Sequence, residues 1–171
     1  MIVAITGIAA TGKTESARIL AKRMKWKLVR PDDIAKRKKL YLGYDKERKS
    51  WIVDLKKLKK EIRKAEKENK NIIIESLYSH FLPADLIIVL RTRPEILLKR
   101  LKKKYDWQTK ITENYEAELI GLITAEAVEM HKKVYEIDTS KSSAMKTAKT
   151  MEKIIRGKTK NYRAGKIQWL K

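Results

Sequence analysis

"TGIAATGKTES", residues 6–16, follows directly on the apolar start of the chain and fits the pattern G-x-x-x-x-G-K-[ST] through Gly7, Gly12, Lys13 and Thr14. The spacing has a chemical reason. Glycines let successive backbone N–H groups curl around a polyphosphate with no Cβ in the way. Lys13 is placed to reach the outer phosphates as a mobile charge, and the Thr14 hydroxyl to join a Mg²⁺ shell. The surroundings agree with a phosphate loop: Met1 to Thr6 reads as a strand, and Glu15 to Ala21 opens an amphipathic helix whose N-terminus favours anions.

Working outward, strand and helix signals alternate. "KWKLV" (25–29), "NIIIES" (71–76), "DLIIVLRT" (85–92) and "YEIDT" (135–139) read as strands, the middle two as the unbroken apolar runs of parallel strands buried on both faces. Helices are expected over 30–40, 54–70, 94–104, 109–134 as one long element, and 143–158, with 41–53 a turn-rich excursion and 158–171 a basic tail. This order predicts an α/β fold with a parallel sheet sandwiched by helices, the ligand lying at the sheet's carboxyl edge beyond the first strand. At 171 residues and 20.0 kDa the chain makes one domain.

Composition narrows the function classes. There is no cysteine, which excludes disulfides and thiolate catalysis and makes a reducing cytoplasm the expected compartment. No run of eighteen apolar residues is present, so no membrane span is expected. Two histidines, His80 and His131, lie too far apart in sequence to suggest a metal site. The charge is unusual: 42 Lys and Arg against 21 Asp and Glu leave +21. A heat-adapted surface accounts for many charges but not for a two-to-one excess of bases. A field this positive attracts nucleic acid or another polyanion.

A phosphate-loop enzyme needs a carboxylate for Mg²⁺ at a neighbouring strand end, and Glu75, closing "IIIE", is the leading candidate; Asp138, closing "YEID", reads as structural or as flanking the base. Arg91 at a strand end and the pair Arg100 and Lys104, one helical turn apart, are candidate phosphate clamps.

The whole chain resembles the atypical adenylate kinases known as adenylate kinase isoenzyme 6, of archaea and eukaryotic nuclei. The resemblance rests on the phosphate loop, "DIAKRKKLYLGYD" (33–45), "LPADLIIVLRT" (82–92), "LKRL" (98–101), "KITENYEAE" (110–118), "EIDT" (136–139) and the terminal "GKIQWL". It implies a nucleoside-monophosphate kinase with a short lid, transferring the γ-phosphoryl of ATP to AMP with Mg²⁺. It also implies an ATPase side activity and a role in maturing the small ribosomal subunit, through a ribosomal protein or rRNA.

By the same resemblance Gly12, Lys13, Thr14 and Glu15 contact ATP; Gly7, Ala10 and Lys104 are counted with them as nucleotide contacts, and Thr14 and Glu75 are the expected metal holders. Lys13, Thr14, Glu75 and Arg100 are catalytic, and Asp33, Lys36 and Arg91 bind the acceptor. Residues 30–53 become the monophosphate-binding segment and 103–113 the lid. The chain departs from the family pattern at several points: Ala10 replaces a third glycine, Glu15 a second threonine, and Lys36 and Lys104 replace arginines. Glu75 and Leu77 stand where the family has Asp-x-His. Two alternatives stay open, a nucleotide-switched assembly factor with weak kinase activity and another small-molecule kinase on the same fold.

Overall fold

The computed structural model describes residues 1–170. Five parallel strands form the central sheet in the order β2-β5-β1-β6-β7, where β1 is Ile2–Thr6, β2 Lys27–Val29, β5 Ile72–Glu75, β6 Leu86–Arg91 and β7 Val134–Asp138. Strands β1, β5 and β6 are buried along their whole length, which is why they read as unbroken apolar runs.

Alternate residues of each strand feed opposite faces. Val3, Ile5, Ile73, Ile88 and Leu90 meet helix α1 (Lys13–Met24) through Leu20, and helix α7 (Ala144–Ile155) through Met151 and Ile154. Ala4, Ile72, Ile74, Ile87 and Val89 look the other way. They meet α2 (Pro31–Lys38) through Ile34, α3 (Leu55–Glu68) through Leu58 and Ile62, and α4 (Pro94–Lys104) through Leu97 and Leu101. Among the described residues no helix is long and apolar enough to cross a membrane.

Two segments differ from their sequence expectation. The long helix expected over 109–134 is two, α5 (Gln108–Leu119) and α6 (Leu122–Met130). The break falls at Gly121, whose φ of 68° is left-handed and whose missing Cβ would sit 3.4 Å from the Arg91 guanidinium. The Glu118 carbonyl, left free by the end of α5, accepts from the Gly121 amide at 3.1 Å and from Arg91 at 3.0 Å. The excursion 41–53 is an antiparallel hairpin, β3 (Tyr41–Asp45) and β4 (Ser50–Val53).

The basic tail packs against the body. The Tyr162 carbonyl accepts from the Glu136 N–H at 2.7 Å, Ala164 N donates to the Val134 carbonyl at 3.1 Å, and Arg163 bridges Tyr135 across the free edge of β7. Residue 171, the end of the expected tail, lies outside the described residues.

Candidate functional site

The phosphate loop leaves β1 at the carboxyl edge of the sheet. Gly7 has φ 133°, and a Cβ there would fall 2.4 Å from the Leu90 carbonyl oxygen of β6, so only glycine fits between the strands. Gly12 (φ 89°) caps α1 from a left-handed conformation. Ala10, where the resembling family carries glycine, sits at φ 65°; a Cβ in this region costs about 1–2 kcal/mol. Thr11 steadies the loop by donating to the Ile8 carbonyl at 2.8 Å.

Lys13 is buried at the first turn of α1, its Nζ donating to the Ile8 carbonyl at 2.9 Å. Burial pulls its ammonium down from an ordinary 10.5 to about 8, against the attraction of Glu75 and with added repulsion from Lys104. Lys104 at the end of α4 therefore acts on the same space as the loop lysine. Thr14 donates to Glu75 Oε1 at 3.3 Å, and the other carboxylate oxygen, Oε2, is buried without a hydrogen bond. A hydroxyl beside a buried carboxylate suits a hard cation such as Mg²⁺, which takes oxygen ligands, although Oε2 is already ion-paired to Arg30 and a metal would share it. Glu75 lies 3.5 Å from Arg30 Nε, itself buried without a hydrogen bond.

Arg100 ties three segments at this edge. It reaches the Ala10 carbonyl at 3.4 Å and the Thr139 and Ser140 carbonyls at 3.3 and 3.5 Å. Thr139 in turn donates toward the Thr11 carbonyl or the Arg91 carbonyl, each at 3.0 Å. Asp138 accepts from the Ser140 amide at 2.8 Å and from its hydroxyl.

The structure thus gathers Gly7, Ala10, Gly12, Lys13, Thr14, Glu75 and Arg100 at one edge, with Lys104 beside them. Glu15, Asp33 and Lys36 stand exposed, Glu15 on the first turn of α1 and the other two on α2. Arg91 is in a different place from an acceptor clamp. Its side chain is buried and bound to Glu118 Oε1 (2.8 Å) and Glu136 Oε1 (2.6 Å), with Trp169 Nε1 also donating to Glu118 at 2.8 Å. The reason is local: β6 ends between two buried carboxylates that need a cation.

Three contributors went unnoticed in the sequence. Arg30 follows β2 and carries the same signal, a charge at a strand's carboxyl end, that singled out Glu75. Tyr78 donates to Asp32 Oδ1 at 2.8 Å, a pairing across 46 residues that no local pattern reveals. Asp32 is close enough to Lys13 to raise the lysine's pKa. His80 is buried and engaged at both nitrogens, with Thr6 Oγ1 at 3.0 Å and Glu126 Oε2 at 3.1 Å. His131 reaches the His80 carbonyl at 2.7 Å, so the two histidines are neighbours after all. No group of three potential metal-ligating side chains occurs among the described residues.

Comparison with known proteins agrees with this geometry. The sequence pattern of the family described as "AAA domain" matches residues 3–121. A protein of Methanosarcina acetivorans named "Putative adenylate kinase" is 38% identical over 183 aligned positions, covering 99% of this chain and 98% of that protein. One of the same name from Methanocaldococcus jannaschii is 36% identical over 169 positions, covering 99% and 93%. Among solved structures, the shikimate kinase of Acinetobacter baumannii in complex with shikimate aligns with a TM-score of 0.64 at 16% identity, over 92% and 93% of the two chains. The shikimate kinase of Bacteroides thetaiotaomicron aligns at 0.63 and 10% identity, over 91% and 98%; at such identities the likeness is one of fold.

Proposed function

The chain belongs to the AAA-domain family and to the archaeal group whose members carry the adenylate kinase name, and from that premise we propose that it transfers the γ-phosphoryl group of ATP to AMP. The observation that supports this reading best is the meeting of buried Lys13 with the Thr14–Glu75 pair at the edge where the phosphate loop opens. The loop amides cradle the donor phosphates and Lys13 carries charge to the transferring group. Arg100 fixes the loop against the end of β7, and Lys104 adds a second positive charge. Mg²⁺, when bound by Thr14 and Glu75, supplies the charge that screens the β- and γ-oxygens from an incoming nucleophile.

Acceptor binding falls to α2 and the hairpin, with Asp33 and Lys36 on the exposed side of α2; Arg91, locked among carboxylates, is left out. Transfer to water is not assigned, because Leu77 offers no proton acceptor and both nitrogens of His80 are taken. The test is ADP formation from ATP with AMP, GMP, CMP, UMP or shikimate as acceptor. A rate stimulated by AMP above all others supports the reading; stimulation by shikimate alone, or by no acceptor, overturns it.

Lys13 gives the site a pH signature. In the free enzyme it loses its proton near pH 8, so kcat/KM for ATP should fall about tenfold per pH unit above that point. With polyphosphate bound the ammonium is held charged, and kcat should persist to higher pH. A kcat/KM profile flat to pH 9.5 would contradict the role given to Lys13.

A second reading, binding to RNA of the small ribosomal subunit, is favoured by one observation. Residues 139–170 carry nine Lys and Arg but a single acid, Glu152. Among the described residues of that stretch Arg156 is the one base in a salt bridge; α3 pairs Lys57, Arg63 and Lys64 but leaves Lys56, Lys59, Lys60 and Lys67 without such a partner. Bases without internal partners leave their charge available to phosphates. Binding to small-subunit rRNA should weaken with salt at a log–log slope of about −4 or steeper. Lys153→Glu with Lys158→Glu should flatten that slope. These charge reversals are preferable to truncation, since residues 162–164 pair with β7. Salt-insensitive binding would dismiss this reading and leave the kinase reading untouched.

A further inference from the structure

The β3–β4 hairpin carries a geometry that its sequence pattern hides. Tyr41 pairs with Val53 and Gly43 with Ile52, so Leu42 is an extra residue with no partner across the ladder. One inserted residue reverses the alternation of faces along its strand. Tyr41 and Tyr44, an odd number of positions apart, therefore lie on one face, together with Trp51 and Val53. The rings are assembled: Trp51 stacks on Tyr41 at 5.0 Å between centroids and meets Tyr44 edge-on at 5.2 Å.

The direction of this face follows from its ends. Val53 packs against the core on the α3 side of the sheet. Tyr41 adds to the rise in the Tyr78 phenol's pKa, whose chief cause is burial, while Tyr78 donates to Asp32, an acid that raises the Lys13 pKa. The hydrogen-bonded pair Tyr78–Asp32 and the ring cluster Tyr41–Trp51–Tyr44 thus belong to the same side of the molecule, with Asp32 acting electrostatically on the phosphate loop's Lys13. At the far end, Lys49 lies 5.1 Å over the Trp107 ring and Arg48 pairs with Glu113 at 3.4 Å, bringing the hairpin tip to the α4–α5 connection and to α5 itself. Yet Trp51 is 59% and Tyr44 48% exposed. Large rings thus stand open on a hairpin face whose root, Val53, packs on the body.

We propose that this ring face, Trp51 above all, is the surface on which the base of the acceptor nucleotide stacks, and that it sets acceptor preference. The inference rests on the kinase reading above and adds the residues that recognise the base. A flat π-system on the same side as the polar pair that acts on the phosphate loop matches a nucleoside monophosphate from base to phosphate. Stacking tolerates every base and favours the larger purines, so the face selects purine over pyrimidine acceptors by ring area.

The experiment measures AMP and CMP binding by intrinsic fluorescence, and the KM of each in ADP formation, for the wild type, Trp51→Ala and Trp51→Phe. Removing one stacking ring should weaken AMP by about tenfold or more, with KM for ATP and kcat little changed. Phenylalanine should restore most of the loss, and the AMP-over-CMP preference should shrink in Trp51→Ala. Ribose 5-phosphate, which lacks the base, should compete equally in the wild type and Trp51→Ala. AMP affinity within twofold of wild type in Trp51→Ala, or equal weakening of ribose 5-phosphate, overturns the ring face while the kinase reading stands. A wild type that binds no nucleoside monophosphate overturns both.

Discussion

Lys13→Ala should lower kcat about a hundredfold to a thousandfold, the size of effect that follows when one preorganised positive group is taken from a developing anion. The fold should survive, and the reason lies in the sign of the lysine's pKa. Its folded value, about 8, is below the unfolded 10.5, so the unfolded chain binds more protons between those values and stability rises with pH through that window. At pH 7 the buried ammonium is therefore a burden on the fold, on the order of 3 kcal/mol at about 1.4 per pH unit. Replacing it with alanine lifts that burden while losing the packing of an aliphatic stem, and the two nearly offset. Activity and stability are thus expected to part company: turnover collapses and Tm at pH 7 stays within a few degrees. A variant that keeps near-native turnover would remove the loop from catalysis. One that loses fold and turnover together would make Lys13 a structural residue.

Arg91→Ala is the opposite case, with its largest effect on stability. Arg91, Glu118 and Glu136 are all buried, and the guanidinium bridges the two carboxylates. Removing one partner of a buried ion pair leaves uncompensated charge and costs about 3–5 kcal/mol, out of a total that for most proteins is about 5–15. For a chain of this length Tm should fall by roughly 10 °C or more. The Trp169 and Ile167 contacts should loosen with it, exposing the tail after Gly157 to proteolysis. The pH dependence checks the cause. Burial already raises the Glu118 carboxyl, against the pull of Arg91. Without Arg91 it rises further, and a carboxyl whose folded pKa exceeds its unfolded one favours the folded state as pH falls. The deficit should narrow on going from pH 7.5 to 5.5. Measured well below Tm, KM for AMP should stay close to wild type. An unchanged Tm with a large rise in KM for AMP would return Arg91 to the acceptor site.

The contrast between these residues shows where sequence was a sufficient guide. The loop was legible because its geometry is local: Gly7, Gly12, Lys13 and Thr14 lie within eight positions of one another, and each requirement is met by backbone or side chain in place. The sheet was legible because burial on both faces leaves β1, β5 and β6 no polar residue until their ends. Arg91 and Glu75 carried the same signal, a charge closing a buried strand, and it does not say what lies opposite. Glu75 faces Thr14; Arg91 faces Glu118, Glu136 and Trp169, which come from distant parts of the chain. Gly121 was lost inside a helical pattern because a lone glycine reads equally as a tolerated interior residue and as a left-handed stop, and the Arg91 guanidinium beside it comes from a distant strand. The hairpin's ring face was illegible for a related reason. The bulge at Leu42 breaks the two-residue period on which a strand's faces are read, and Tyr78 and Asp32 join it only in space.

Transfer to a nucleotide rather than to water is tested most directly by following the γ-phosphate itself. The enzyme is incubated with ATP labelled at the γ position, unlabelled AMP and Mg²⁺, and the products are separated. The label is expected in ADP, at two ADP for each ATP consumed, with formation abolished when AMP is omitted. Label released as inorganic phosphate at a rate indifferent to AMP would contradict the claim.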